Sequence, residues 1–238
     1  MEVHSFSRLR ARSTEVVQDL GWEIYNTPEN NTLFLIGEAA ELAELCQWVT
    51  KEEITTQLGL LACVREEIGD VVKCVLNLVE AIRLPTHLET VILEKLRQDE
   101  ENFPVNLFEG KSKYQVINPK RKKETFPDIP RGGRQPRIST GKLQERAWKL
   151  VQDRDWEKFY TPASLALAIF KSCGEVATCY QWRVKSMKRP YQRTVWALAD
   201  ILINVMRLCE YLKVGDVYDV VLNKLEADGK RFSQTREA

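Results

Sequence analysis

Histidine is nearly missing from this 238-residue chain: only His4 and His87 are present, and none of the six cysteines stands in a C-x-x-C pair. A Cys/His zinc centre is therefore excluded as a working idea. Apolar runs of the roughly 20 residues needed to cross a bilayer are also absent. The first thirteen residues carry Arg8, Arg10 and Arg12 but no apolar stretch of the signal-peptide kind. A cytoplasmic location, with the nucleus as an alternative, is the expectation. Cys46, Cys63, Cys74, Cys173, Cys179 and Cys209 all lie in apolar helical stretches, so they are expected to be buried, reduced thiols. Strand-like alternation is missing as well, which points to an all-α fold.

What is present is unevenly spread. The net charge is only +1, yet nine of the 35 basic residues fall between Lys111 and Arg137, opposed there by Glu124 and Asp128 alone. Pro119, Pro127, Pro130, Pro136, Gly132 and Gly133 share that stretch. It reads as an exposed basic linker over residues 116–138. Pro119-Lys120-Arg121-Lys122-Lys123 offers charge for phosphates or for nuclear import. Tyr114 and Phe126 are its only aromatics, so binding to nucleic acid is not the favoured reading.

The chain repeats across this linker. Gly21-Trp22-Glu23-Ile24-Tyr25-Asn26-Thr27-Pro28 returns as Asp155-Trp156-Glu157-Lys158-Phe159-Tyr160-Thr161-Pro162, and Gln47-Trp48 returns as Gln181-Trp182, both 134 residues later. Asp70 aligns with Asp200, and Val91–Phe103 with Val220–Phe232. Internal repeats of this kind point to duplication. Each copy reads as four helices, starting near Phe6, Thr27-Pro28, Thr56 and Thr86 in the first and near Gly141, Ala163, Tyr191 and Asp216 in the second. Prolines at helix starts fit this division. The expected architecture is two tandem four-helix bundles packed as an intrachain pseudo-dimer, with units at residues 1–115 and 139–238.

Carboxylates interrupt the most apolar helices. The run Leu33–Cys46 is apolar nearly all round and should be buried on most faces, yet it holds Glu38, Glu41 and Glu44 at three-residue spacing on one face. The next helix holds Glu67 and Asp70, with Lys73 and Asn77 continuing the same stripe. Buried carboxylates are costly unless paired or bound to metal. Two such pairs facing each other supply the oxygen donors that magnesium prefers. Lys73 offers the alternative of neutralisation without a metal.

Gly37–Trp48 followed by Glu66–Val71 resembles the MazG-like all-α nucleotide pyrophosphohydrolases, in particular their dCTP pyrophosphatase branch. That family carries E-x-x-E, a loop, then E-x-x-D, matched here by Glu38, Glu41, Glu67 and Asp70. Its D-W-E-x-F element resembles Gly21–Tyr25, and its later aromatic-Pro and K-Y pairs resemble Phe103-Pro104 and Lys113-Tyr114. The resemblance implies magnesium-dependent hydrolysis of a nucleoside triphosphate, dCTP or a modified dCTP first, with the quartet as metal ligands and catalytic groups and Glu38 as proton acceptor. It places Trp22, Asn26, Trp48, Lys73 and Cys74 on the substrate side. Asn26 and Ser13 stand where the branch has histidines, Cys74 where it has a tyrosine, and Asp99 where it has a late-helix asparagine. A dUTPase-like preference stays open for that reason, as does a nucleotide-binding scaffold without turnover.

In the second copy the quartet becomes Ser172, Glu175, Ala197 and Asp200, with Thr178 in place of the third glutamate. The expectation is that this copy serves as a structural partner. A homodimer of such chains is a further expectation from the resemblance. No membrane partner is expected.

Overall fold

A computed structural model describes residues 3–112, 115–116, 134–181 and 188–234, with the backbone alone for residues 188–190 and 233–234. The linker residues 117–133, the Lys113-Tyr114 pair and Trp182 lie outside the described residues. Among the described residues ten α-helices follow one another: α1 (Phe6–Asp19), α2 (Pro28–Cys46), α3 (Lys51–Thr56), α4 (Leu58–Ala81), α5 (Leu88–Asn102), α6 (Val105–Phe108), α7 (Thr140–Gln152), α8 (Pro162–Tyr180), α9 (Lys188–Leu212) and α10 (Val217–Gln234). No strand occurs among the described residues, so the fold is all-α. Nor is any described helix long and apolar enough to cross a membrane.

Local chemistry explains the helix starts. Thr27 accepts the backbone N–H of Asn30 while Pro28 opens α2, and Thr161 accepts that of Ser164 while Pro162 opens α8. A side-chain oxygen at the N-cap satisfies an otherwise orphan donor, and proline costs nothing where no intrahelical N–H bond is lost. Helix α3, not anticipated from the sequence, rests on a capping box in which Thr50 and Glu53 satisfy each other's backbone.

The two halves of the chain are laid out alike. Helices α2 and α8 are both 19 residues long, and a three-residue 3-10 turn precedes each, at Glu23–Tyr25 and Glu157–Phe159. Left-handed residues sit at matching places: Gly21 and Asp155 after the first helices, Arg83 and Lys213 after the long ones. Glycine adopts that conformation freely, whereas Asp155 does so at a cost of about 1 kcal/mol.

Packing decides how these helices share one core. Helices α2 and α8 lie against each other, α2 also against α4 and α8 against α9. The last helices cross over: α10 packs mainly on α4 and α1, whereas α5 packs mainly on α9 and α7. One apolar cluster runs through all of this, from Phe6, Leu35 and Val75 to Ile169, Leu202 and Val221. Each such side chain contributes roughly 1.5–3 kcal/mol relative to exposure.

Two expectations need correction. Helix α2 is not buried on most faces: Leu33 is 69% and Phe34 59% exposed. One stripe, with Leu35, Ala39, Leu42 and Cys46, meets α4 and α8; Ile36, Ala43 and Leu45 flank it half-buried, and Leu33 and Phe34 face outward. The six cysteines are all free thiols, but Cys63 is exposed and Cys179 only half-buried. Cys63 lies one position before Val64, and helical periodicity turns the neighbour of a core residue outward.

Candidate metal and nucleotide site

Neighbouring helices α2 and α4 bring their carboxylates together. Oxygens of Glu38, Glu67 and Asp70 all lie within 4.8 Å of one another. Asp70 is buried, and Glu38 and Glu67 are half-buried. Burial raises the Glu38 carboxyl above the usual range, helped by the charge of Asp70. Burial likewise pushes Glu67 up to about 7, reinforced by Glu41, Asp70 and Glu38. The Glu67 Oε2 atom is buried and makes no hydrogen bond among the described residues. A buried acceptor without a donor costs about 1–3 kcal/mol, so this oxygen is open to a proton or a cation. Glu41, the fourth carboxylate expected here, is exposed and stands outside the close group, although its charge acts on Glu67.

Two lysines face the same group. Lys73 Nζ donates to Asp70 Oδ1 and Asp228 Oδ2, each at 2.5 Å. Lys224 Nζ lies 2.6 Å from Asp70 Oδ2, 3.2 Å from Glu66 Oε1 and 3.6 Å from Asp228 Oδ1. Both oxygens of Asp70 thus carry an ammonium. Burial alone would lower the pKa of each lysine, and the surrounding carboxylates more than reverse this, leaving both above the ordinary range. A close helix approach makes the contact with Lys224: a Cβ built on Gly69 would lie 2.8 Å from the Cβ of Lys224.

Sequence reasoning missed Lys224 and Asp228, which come from the far end of the chain. The repeat held a signal for them, because Lys95 and Asp99 recur as Lys224 and Asp228 in the aligned last helices. Asp99, the counterpart of Asp228, lies 3.7 Å from Arg207 on α9. The reason is the crossing of the last helices, which carries α5 to the other half.

The aromatic residues are placed unequally. Trp22 is 40% exposed and meets the ring of Phe232 edge-on at 5.0 Å. Trp48 is 87% exposed and lies two residues beyond the end of α2 at Cys46. Asn26 accepts a hydrogen bond from Asn31, and Ser13 donates to Asn77 on α4 at 2.7 Å. Cys74 is buried, and burial pushes its thiol well up.

At the matching place in the second half, Asp200 pairs with Lys95 at 3.2 Å. Burial raises its carboxyl to about 6. Ser172 donates back to the carbonyl of Ala168, Glu175 pairs with Lys171, and Ala197 is buried. No acidic group of three forms there among the described residues.

Comparison with known proteins follows this geometry. The chain is 30% identical to dCTP pyrophosphatase 1 of Rattus norvegicus over 127 residues, which cover 52% of this chain and 67% of that protein. The chain belongs to the dCTP pyrophosphatase family. The Mus musculus member matches over the same length at the same identity. The Homo sapiens member is 32% identical over 108 residues, 44% of this chain and 62% of that protein. No family profile matches the chain, and no solved structure does.

Proposed function

We propose that this chain hydrolyses a nucleoside triphosphate, dCTP or a modified dCTP first, to the monophosphate and pyrophosphate at the acidic group between α2 and α4. One observation carries the reading: Glu38, Glu67 and Asp70 converge within 4.8 Å, and Glu67 keeps a buried oxygen without a donor. The family supports the substrate class, since the relatives are named as dCTP pyrophosphatases.

The residues fit magnesium, because all the donors are hard carboxylate oxygens. We assign Glu38, Glu41, Glu67 and Asp70 to hold it. Bound there, magnesium would neutralise charge on the phosphates and polarise the attacking water. Glu38, half-buried beside Asp70 and Glu67, is the acceptor for the proton of that water. Lys73 holds Asp70 in place through the 2.5 Å contact. Trp22 and the exposed Trp48 supply flat apolar faces for a base, and the family resemblance adds Asn26 and Cys74 to the substrate side.

We also read residues 1–115 and 139–238 as two copies of one unit joined by the basic segment 116–138. Equal lengths of α2 and α8, a common 134-residue offset and matching left-handed residues support this. The second copy lacks two of the four carboxylates and serves the first as a partner.

A panel of canonical and modified dNTPs and NTPs with magnesium, read by pyrophosphate release, tests the proposal. Asp70→Asn and Glu41→Gln are each expected to lower turnover by roughly 100-fold or more, the loss typical for removing a charged group that acts at a reacting phosphate. Undiminished release in both variants would overturn the assignment.

A further inference from the structure

We propose that Lys224, carried by the second half of the chain, is a triphosphate-binding residue of the first half's site and holds the cation's place until substrate and metal arrive. The inference rests on the metal-site reading above. Lys224 reaches Asp70 Oδ2 at 2.6 Å across the α4–α10 contact, and its side chain is only 11% exposed. The opposite oxygen of Asp70 is held by Lys73 at 2.5 Å. Glu38, Glu66, Glu67, Asp70 and Asp228 put five carboxylates around these two ammoniums, so the site keeps an anionic surplus.

A divalent cation that takes Asp70 as a ligand competes with the ammoniums that its two oxygens already hold. Lys73 is the more firmly anchored of the two, with a second contact to Asp228 at 2.5 Å. The remaining contacts of Lys224 are longer, 3.2 Å to Glu66 and 3.6 Å to Asp228. A lysine on its flexible four-carbon stem is a movable point charge suited to phosphate. Once freed from Asp70, the Lys224 ammonium is positioned beside the metal and donates to the anion that the metal binds. The second half thereby supplies a working part of the site as well as apolar surface.

Lys95 provides the internal control. It makes the matching contact to Asp200 at 3.2 Å, where no acidic group of three exists among the described residues. If these lysines only clamp the halves together, the two should behave alike.

The test uses the full chain as wild type, Lys224→Met and Lys95→Met. Free Mn2+ is titrated by electron paramagnetic resonance without nucleotide, and inorganic triphosphate is titrated by calorimetry with magnesium in excess. Lys224→Met is expected to bind Mn2+ about tenfold more tightly and triphosphate about tenfold more weakly, the size expected for one partly buried charge–charge contact. Lys95→Met is expected to change neither. If Lys224→Met does not fold, Lys224→Gln has to give the same opposed shifts. Unchanged or weaker Mn2+ binding in the Lys224 variant, or the same shifts in Lys95→Met, overturns the inference. A wild type that binds neither Mn2+ nor triphosphate overturns the metal-site reading itself.

Discussion

The α4–α10 contact and the α9–α5 contact contain the same aspartate–lysine pair, Asp70–Lys224 and Asp200–Lys95, set in different electrostatic surroundings. Around Asp200, the places of Glu38 and Glu67 are taken by Ser172 and Ala197, and Lys95 and Arg207 face Asp200 and Asp99 in near balance. Around Asp70, carboxylates outnumber ammoniums and one buried oxygen is left without a donor. The difference teaches what separates an ion clamp from an ion site. A clamp satisfies its own charges, whereas a site is built with an excess that only a ligand removes.

The largest effect that would break this comparison is removal of the second half. Residues 1–115 expressed alone would expose the face of α4 that α10 covers and lose Lys224 and Asp228. Such a fragment is expected to be unfolded or aggregated by circular dichroism and to show no magnesium-dependent release of pyrophosphate. A folded, active fragment would mean that the crossing of α5 and α10 is dispensable.

A smaller effect is expected at Gly69. Its counterpart Ala199 already carries a Cβ in a fully buried position, while a Cβ at Gly69 would sit 2.8 Å from that of Lys224. Helix propensity favours Gly69→Ala by about 1 kcal/mol, but overpacking against a rigid Cβ costs about 1–3 kcal/mol. Net destabilisation of about 1 kcal/mol, or about 2–4 °C in Tm for a chain of this size, is therefore expected in thermal melts.

The smallest effect concerns pH. Glu67 is raised to about 7 in the folded protein, from an ordinary value of 4.5. Between these limits the folded state holds a proton that the unfolded state has released. Stability of the metal-free protein therefore falls as pH rises from about 4.5 to 7. With solvent screening of a half-buried group, the loss is about 1 kcal/mol. Glu67→Gln should flatten that slope in melts recorded across the range and raise Tm at pH 7. A slope unchanged by the substitution would place the titrating group elsewhere.

Much of this was legible in the amino-acid sequence because it depends on local spacing. Thr27-Pro28 and Thr161-Pro162 specify helix starts wherever the helices finally pack. The three-residue spacings of Glu38 and Glu41 and of Glu67 and Asp70 fix each pair on one helical face. That Asp70 would lie beside a carboxylate of α2 followed from the apolar stripes on both helices. The exposure of Leu33, Phe34 and Trp48 did not follow, because apolar residues leave no mark of which face finds a partner.

The partner of each last helix was decided by tertiary structure alone. Helices α5 and α10 bear matching apolar faces and matching Lys and Asp residues, so either could cover α4 equally well by pattern. Periodicity records which side of a helix is buried, and alignment records which residues correspond. Neither records whether a helix folds back on its own half or crosses to the other. Only the packed chain sets Lys224 rather than Lys95 against Asp70, because a contact across 154 residues depends on the path of the whole backbone.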